Sequence, residues 1–210
     1  MQLKTLEVGP FGTNCIVVHD EGTLDAVVVD PGNDPEVILS WVESAHLKVR
    51  ALLHTHGHLD HIGATRAVAK ATGAKILLHQ ADRTLYDTLV DQARMFGLRL
   101  EPPAPIDRFL EDEQTLDFGP LSCTVLHTPG HSPGAVCFHF REQALVLSGD
   151  TLFAGSVGRT DLWGGSHDQL IKSIRQRLMV LDDATRVVTG HGPQTTIGEE
   201  RAINPFLRGR

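Results

Sequence analysis

The sequence contains no run of basic residues and no hydrophobic run long enough to cross a membrane. Its 26 acidic and 19 basic side chains are interspersed and give a formal net charge of −7. This charge disfavours nucleic acid as a partner, because phosphate binding requires clustered cations. The N-terminus lacks a basic segment followed by an apolar stretch. We therefore expect no signal peptide and no membrane partner.

Cysteine is scarce, with one residue each at Cys15, Cys123 and Cys137. The three are far apart, no CxxC pair occurs, and each lies in an apolar, strand-like run. An odd count without CxxC favours buried, reduced thiols over a disulfide framework. We therefore expect a cytoplasmic protein.

Histidine, by contrast, is abundant, with 12 in a chain of 210 residues. The hydrophobic fraction of 41% is ordinary for a globular protein. Length and composition together predict a single domain spanning residues 1–210. The excess of histidine then requires a functional explanation.

The densest cluster is Thr55-His56-Gly57-His58-Leu59-Asp60-His61, with three histidines and one aspartate. An apolar strand is predicted before it, at 49–53, and an Ala-rich pattern at 62–72 predicts a helix after it. A turn held between two rigid elements can direct several side chains at one point.

The spacing within this cluster suits metal binding. His56 and His58 are two residues apart, so both rings can reach one ion. Asp60 and His61 follow the turn and can reach a second ion. Neutral imidazole and carboxylate suit zinc, iron or manganese.

Three further candidate ligands, His131, Asp150 and His191, lie in Gly- or Pro-containing turns. Each turn follows a predicted strand, at 121–126, 144–147 and 186–189 respectively. Strand-end turns of a layered fold can meet in one groove, where binding pockets form.

The rest of the pattern predicts further strands and helices. Asp34 is the predicted N-cap of a helix that has Pro35 at its first position. The other predicted strands lie at 2–8, 14–19, 26–30, 75–79, 107–110, 116–118 and 136–140. The predicted helices lie at 35–44, 62–72, 80–98, 168–178 and 198–202.

The order THxHxDH, TPGH, SGD and GHG resembles the metallo-β-lactamase-fold superfamily over nearly the whole chain. The resemblance implies an α+β fold, a four-layer αββα sandwich with two mixed sheets inside. It implies two divalent metal ions, expected to be Zn²⁺, with iron or manganese as alternatives. The implied ligands are His56, His58 and His131 for one ion, Asp60, His61 and His191 for the other, and Asp150 as the bridge.

The segments Gly149–Phe153, Gly158-Arg159 and Gly190–Pro193 resemble the glyoxalase II group of thioester hydrolases. The segments Ala93–Leu98 and Asn204–Leu207 resemble its short bacterial type II form. The implied enzyme is a hydroxyacylglutathione hydrolase, which converts S-D-lactoylglutathione and water to D-lactate and glutathione. The expected partner is thus a small-molecule thioester, a glutathione conjugate.

The chain departs from the classical group in its expected recognition of glutathione. Classical members carry a C-terminal helical domain that supplies basic groups, and we expect no such domain here because the sequence ends at Arg210. Arg159 matches the family's basic substrate contact, whereas Asp161 stands where an aromatic residue is usual. A solvated surface arginine is the competing interpretation of Arg159.

The resemblance also implies a mechanism. Two ions about 3.5–4 Å apart can hold a hydroxide between them, and this hydroxide attacks the thioester carbonyl. Asp60 and Asp150 are the expected catalytic carboxylates, Asp60 by orienting the nucleophile and Asp150 by bridging the ions. No serine or cysteine nucleophile is required.

Other functions of the same fold remain open. Persulfide dioxygenases use one non-haem iron, held by two histidines and an aspartate, and have a segment like Gly158–Asp161. A lactonase, another thioesterase and a non-catalytic metal-binding protein are further alternatives. True β-lactamase activity is disfavoured by the ligand type at His61. The acyl group and the oligomeric state are left open.

Overall fold

Two mixed six-stranded sheets form the centre of the fold in a computed structural model that describes residues 1–208. Sheet A contains, in spatial order, β1 (Gln2–Val8), β2 (Thr13–His19), β3 (Asp25–Val29), β4 (Lys48–Leu53), β5 (Lys75–His79) and β6 (Arg108–Leu110). β1, β2 and β3 pair antiparallel, and β3 to β6 pair in parallel.

The second half of the chain builds sheet B. Its strands are β7 (Thr115–Phe118), β8 (Leu121–His127), β9 (Val136–Phe140), β10 (Leu145–Gly149), β13 (Arg186–Thr189) and β14 (Thr195–Thr196). Their spatial order is β14-β13-β10-β9-β8-β7, with β10 and β13 parallel and all other neighbours antiparallel. A two-stranded hairpin of β11 (Leu152–Phe153) and β12 (Ser156–Val157), which the sequence analysis did not predict, follows β10.

Short helices cover the outer faces of the sheets. They are α1 (Pro35–Ser44), α2 (Leu59–Ile62), α3 (Thr65–Thr72), α4 (Arg83–Asp87), α5 (Leu89–Met95), α6 (His167–Ser173) and α7 (Ile197–Ile203). A π-helical turn, Ile174–Leu178, continues α6 over the range predicted from the sequence.

Two predicted helices are wrong as single elements. The helix predicted at 62–72 is divided into α2 and α3 beside Gly63, where an added Cβ would strike the carbonyl oxygen of Gly32. The helix predicted at 80–98 is divided into a 3₁₀ turn, α4 and α5. At its break the Thr88 hydroxyl donates to the carbonyls of Thr84 and Leu85, and such local bonds compete with the helical ladder.

Asp34 occupies the predicted N-cap position of α1, but its side chain does not cap the helix. Its backbone is left-handed, with φ at 47°, and its Oδ2 instead accepts the Gly9 N–H at 2.7 Å. This bond ties the turn between β1 and β2 to the start of α1. Pro35 stands at the first helical position as predicted.

Three apolar layers hold the four structural layers together. On β2, Ile16 and Val18 point between the sheets, whereas Cys15 and Val17 pack with the helices. This alternation is possible because β2 is covered on both faces. Leu170 of α6 belongs to the third layer, on the outer face of sheet B. The order helix, sheet, sheet, helix confirms the predicted αββα sandwich.

All three cysteines are free and buried, as predicted. Burial raises the pKa of the Cys123 thiol to about 12 and that of Cys137 to about 11, so both stay protonated near neutral pH. Within residues 1–208, none of the helices has the length and apolar character needed to span a bilayer.

Candidate metal centre

The four turns that carry predicted ligands meet at one end of the two sheets. β10 and β13 are parallel, with Gly149 opposite Thr189, so Asp150 and His191 leave sheet B side by side. β8 runs in the same direction because β8 and β10 are both antiparallel to β9, and His131 follows its end. β4 delivers the remaining ligands from sheet A. Strand direction thus explains why residues distant in sequence converge.

The converging side chains form three overlapping groups that can hold a cation. In each group, one ligand atom per residue lies within 4.8 Å of the others. The groups are His56/His58/His131, His56/His61/Asp150 and Asp60/His61/His191. All seven predicted ligands lie in these groups.

In the first group, imidazole nitrogens face one another at hydrogen-bond distance. His131 Nε2 lies 2.9 Å from His58 Nδ1 and 3.1 Å from His56 Nε2. His131 Nδ1–H donates to the Arg159 carbonyl oxygen at 2.8 Å, which leaves the Nε2 lone pair of a neutral ring facing inward. The Thr55 hydroxyl oxygen lies 3.0 Å from His56 Nδ1 and accepts the Nδ1 proton, which leaves the Nε2 lone pair of His56 facing inward as well. Facing lone pairs repel, and a cation between them removes the repulsion.

The third group, Asp60/His61/His191, combines imidazole with carboxylate. His61 Nε2 and His191 Nε2 are 3.3 Å apart, and Asp60 Oδ2 lies 3.5 Å from the first and 3.2 Å from the second. The outer nitrogen of His191, Nδ1, lies 3.1 Å from the Phe11 carbonyl oxygen. That carbonyl accepts the Nδ1 proton and directs Nε2 inward.

Asp150, a member of the remaining group, lies between the first group and the third. Its Oδ1 is 3.4 Å from His61 Nε2, and its Oδ2 is 3.6 Å from His131 Nε2 and 3.7 Å from His191 Nε2. Oδ1 is buried without a hydrogen-bond partner among the described residues. At Gly190 an added Cβ would strike this oxygen, so glycine is required there. A buried carboxylate oxygen without a donor is costly, and a bound cation would satisfy it.

Proton affinities divide the site into two parts. Burial lowers the pKa of His58 to about 3 and holds the pKa of His56 well below its usual range. Burial also opposes charge on His61, but the carboxylates of Asp60 and Asp150 outweigh it and raise the pKa of His61 to about 10. A positive charge is therefore favoured beside these carboxylates, and either a proton or a metal ion can supply it. The residues present fit metal ions by number, chemistry and orientation.

Sequence comparison assigns the family. The family model described as "Metallo-beta-lactamase superfamily" matches residues 8–191. The chain belongs to the metallo-beta-lactamase superfamily. A curated relative from Haemophilus influenzae, named hydroxyacylglutathione hydrolase GloC, is 36% identical over the full length of both chains. The predicted superfamily and fold are confirmed.

Two solved structures are similar over nearly the whole chain. One, named BLEG-1 B3 metallo-beta-lactamase, is 40% identical with a TM-score of 0.93 and covers 99% of this chain and 100% of its own. The other, TTHA1623 in a di-iron-bound form, is 42% identical with a TM-score of 0.89 and covers 97% of this chain and 100% of its own. Together with a curated relative from Bacillus subtilis named a probable metallo-hydrolase, 36% identical, they place this superfamily member among metallo-hydrolases.

Asp30 supports the site of this superfamily member without belonging to the ligand groups. Its buried carboxylate accepts the Thr55 N–H at 2.7 Å, the Thr55 hydroxyl at 2.6 Å and His61 Nδ1–H at 3.0 Å. Its φ is 53°, a strained value for a residue with a side chain. The sequence analysis assigned Asp30 no function, although an aspartate followed by Pro-Gly at the end of a buried strand was a usable signal.

Asp82 joins the two loops that carry histidine ligands. Its Oδ2 accepts the Gly57 N–H at 2.8 Å and the Ser132 hydroxyl at 2.7 Å, and its Oδ1 accepts the Gly134 N–H at 2.5 Å. Burial raises the pKa of Asp82, but these three donors favour its charged form. Sequence reasoning missed this residue because it lay inside a predicted helix and showed no local signal.

A cavity of about 510 Å³ opens onto the site. Its lining includes Arg159, whose function as a substrate contact stays a prediction. The guanidinium is exposed and forms a bidentate pair with Asp161, with Nε–Oδ1 at 2.8 Å and Nη2–Oδ2 at 2.7 Å. This pair lowers the pKa of Asp161 to about 2. Any anionic substrate group therefore competes with Asp161 for Arg159.

The Asn204 segment supports one side of this cavity. Asn204 is buried, and its Nδ2 donates to the Ser156 carbonyl at 3.0 Å and to Glu200 Oε2 at 2.6 Å. Glu200 Oε2 also accepts the Gly155 N–H at 2.9 Å. These bonds fix the β11–β12 hairpin, whose Phe153 lines the cavity. The segment thus has a structural function here.

Proposed function

We propose that this chain is a binuclear metal-dependent thioester hydrolase, specifically a hydroxyacylglutathione hydrolase. It would convert S-D-lactoylglutathione and water to D-lactate and glutathione. The observation that carries the proposal is the set of seven histidine and aspartate side chains, centred on Asp150, that converges at an open cavity. The name of the Haemophilus influenzae relative, hydroxyacylglutathione hydrolase, supports the choice of substrate.

The proposed ligand assignment follows the observed groups. Asp150 would contribute to both ions, because its Oδ1 lies near His61 and its Oδ2 lies near His131 and His191. Its unpartnered Oδ1 supports this assignment. The proposed ligands of one ion are His56, His58 and His131, and those of the other are Asp60, His61 and His191.

The proposed reaction divides the work between the metal ions and the chain. Bound metal ions would lower the pKa of water from about 15.7 to near 7 and thus supply a nucleophile at neutral pH. Asp60 would accept a hydrogen bond from this water and direct its lone pair at the substrate. The water oxygen bonds to the thioester carbonyl carbon, the C–S bond breaks, and the sulfur leaves with the electron pair. The products are a carboxylate and a thiol, and one proton is released.

Metal content and hydrolysis, measured on one purified batch, test the proposal. We expect near two metal ions per chain and cleavage of S-D-lactoylglutathione. Asp60→Ala and Asp150→Ala should each lower kcat/KM by about 100-fold or more, since even residues that merely orient ligands contribute 10–100-fold. Asp182→Ala, at an exposed aspartate outside the site, is the matched control and should retain full activity.

Parallel assays on the same batch separate the alternatives. One iron ion per chain, together with oxygen consumption when glutathione persulfide is supplied, would contradict the hydrolase and indicate a persulfide dioxygenase. Cleavage of a lactone or a β-lactam without thioester cleavage would retain a metallo-hydrolase and overturn the proposed substrate. Full thioester cleavage by Asp150→Ala would contradict the assignment of Asp150 as the bridge.

A further inference from the structure

The cavity at the candidate metal centre is bordered by large apolar side chains. We call this group the apolar wall, and its members are Phe11, Met95, Phe96, Phe153, Leu162 and Trp163. Met95 is 83% exposed, Phe96 57% and Trp163 60%. Exposed apolar side chains that gather around a concave site are typical of a ligand-binding surface.

Four separate parts of the fold supply the apolar wall. Phe11 lies in the turn between β1 and β2, and Phe153 lies on the β11–β12 hairpin. Phe96 directly follows α5, and Trp163 lies in the loop that precedes α6. The rings of Phe11 and Phe96 pack edge to face with centroids 5.3 Å apart. Convergence from four segments indicates a built pocket rather than one apolar stretch of chain.

Away from the proposed metal ligands, the cavity offers little to an anionic ligand. Among the described residues that line it, Arg159 is the only lysine or arginine, and its guanidinium is engaged by Asp161. The carboxylates of Asp60 and Asp150 also line the cavity. A charged substituent placed against the apolar wall would lose hydration without gaining a free partner.

On the basis of the proposed hydrolase function, we propose that the apolar wall binds the acyl group of the thioester and selects a large, apolar one. Glutathione carries two carboxylates and an ammonium group, so the acyl group is the part of such a conjugate that can be apolar. A cavity of about 510 Å³ accommodates an aryl- or alkyl-substituted acyl group. The preferred substrates are thus acyl conjugates larger than the lactoyl conjugate.

Binding of uncleavable analogues tests this preference independently of catalysis. S-hexylglutathione and S-methylglutathione are thioethers that differ only in alkyl length, and calorimetry on the metal-loaded protein measures both dissociation constants. We expect the hexyl analogue to bind about tenfold tighter or more. Even one methylene group that is fully buried in a pocket strengthens binding by about tenfold or more, and the hexyl group adds several methylenes.

Variants of the apolar wall connect the preference to these residues. Trp163→Ala and Phe96→Ala should each reduce the hexyl preference to about threefold or less. Phe206→Ala is the matched control, because Phe206 is also an exposed phenylalanine but lies outside this cavity. It should keep the full preference.

Three results would overturn the proposal: no binding of S-hexylglutathione, equal binding of both analogues, or an unchanged preference in both wall variants. Hydrolysis of S-mandeloylglutathione and S-D-lactoylglutathione is measured alongside, because these substrates differ by phenyl against methyl. Hydrolysis of both without a preference for the phenyl group would overturn the selectivity and leave the hydrolase intact. A retained hexyl preference without hydrolysis of either would overturn the hydrolase and leave the apolar binding site.

Discussion

Two buried aspartates, Asp30 and Asp82, hold the ligand loops in place although neither belongs to the ligand groups. Each accepts three hydrogen bonds from those loops. A buried carboxylate that accepts several hydrogen bonds restricts the groups that donate to it. At the residue scale, the geometry of the site thus depends on side chains beyond the predicted ligands.

Asp82→Asn tests this dependence. In the native protein, two backbone N–H groups and the Ser132 hydroxyl donate to the Asp82 carboxylate. The NH₂ group of asparagine cannot accept a hydrogen bond, so at least one of these buried donors would lose its acceptor. We expect the free energy of unfolding to fall by about 1–3 kcal/mol. Metal affinity should fall about 10–100-fold, because the loops of His56 and His131 lose their common anchor. Urea unfolding and metal competition measure both effects.

The control for Asp82→Asn is Asp87→Asn, at an exposed aspartate that forms a surface pair with Arg83. It should change stability by less than about 0.5 kcal/mol. If Asp82→Asn behaved like this control, Asp82 would not anchor the two loops.

Arg159 contributes to the site in two separable ways. Its carbonyl orients His131, and its guanidinium is paired with Asp161. Arg159→Ala keeps the carbonyl, so we expect unchanged metal content and a severalfold increase in KM for a glutathione thioester. Asp161→Asn frees the guanidinium and should lower KM. Steady-state kinetics on both variants check this, and an unchanged KM in Arg159→Ala would remove its predicted function in substrate binding.

At the element scale, a histidine pair connects the ends of β5 and β8, and thereby the two sheets. The rings of His79 and His127 stack with centroids 4.2 Å apart and planes 19° apart. His79 Nδ1 also accepts the Ala81 N–H at 3.3 Å, which requires an unprotonated nitrogen. Burial, with a contribution from His127, lowers the pKa of His79 to about 4. The folded state therefore favours neutral His79.

This pair predicts acid sensitivity. Because the folded pKa of His79 lies below its unfolded value of about 6.5, its contribution is fully present above pH 6.5 and is lost as pH falls towards 4. After discounting for the half-exposed ring, the loss should be about 1–2 kcal/mol. His79→Gln should show a correspondingly smaller fall in unfolding free energy from pH 7 to pH 5. Contributions from histidines that do not contact His79 cancel in this difference.

Urea unfolding at the two pH values measures this effect. His167→Gln, at an exposed histidine that begins α6, should retain the fall seen in the parent protein. An identical pH dependence in His79→Gln and the parent would show that the stacked pair does not carry the acid sensitivity.

At the scale of the whole molecule, the ligand set joins the two sheets at one end of the sandwich. Sheet A supplies the cluster after β4, and sheet B supplies His131, Asp150 and His191. Ions bound there would bind the folded chain alone, because the ligands meet only after both sheets have formed. Metal removal should therefore weaken the whole fold rather than one loop.

Chelation tests this coupling. Each ion at about 100 times its dissociation constant would stabilise the folded state by about 2.7 kcal/mol. In a chain of this length, removal of each ion should lower Tm by about 5–10 °C. Zinc or iron should restore Tm, whereas magnesium should not, since it prefers oxygen ligands. His61→Ala should show a smaller shift, and an equal Tm before and after chelation would contradict a structural contribution of metal.

Much of the site could be predicted because its signals are local. The spacing of His56, His58, Asp60 and His61 lies within one turn, and the turns with His131, Asp150 and His191 directly follow apolar strands. Strand alternation is likewise local, so the sequence by itself located most strands and the candidate ligands, whereas the four-layer sandwich was implied by the family resemblance. The divided helix at Thr88 was not predicted, because its periodic pattern resembles that of one helix.

Only the tertiary structure decided how the site is supported and what its cavity presents. Asp82 contacts Gly57, which is 25 positions away in the sequence, and Gly134, which is 52 positions away. No local sequence pattern predicts such contacts. The apolar wall arises from four segments whose side chains individually resemble ordinary surface residues. Local periodicity encodes elements, because backbone geometry repeats over a few residues. Contacts between elements depend on how whole layers pack, and that packing placed Asp82, Arg159 and Trp163 around the predicted ligands.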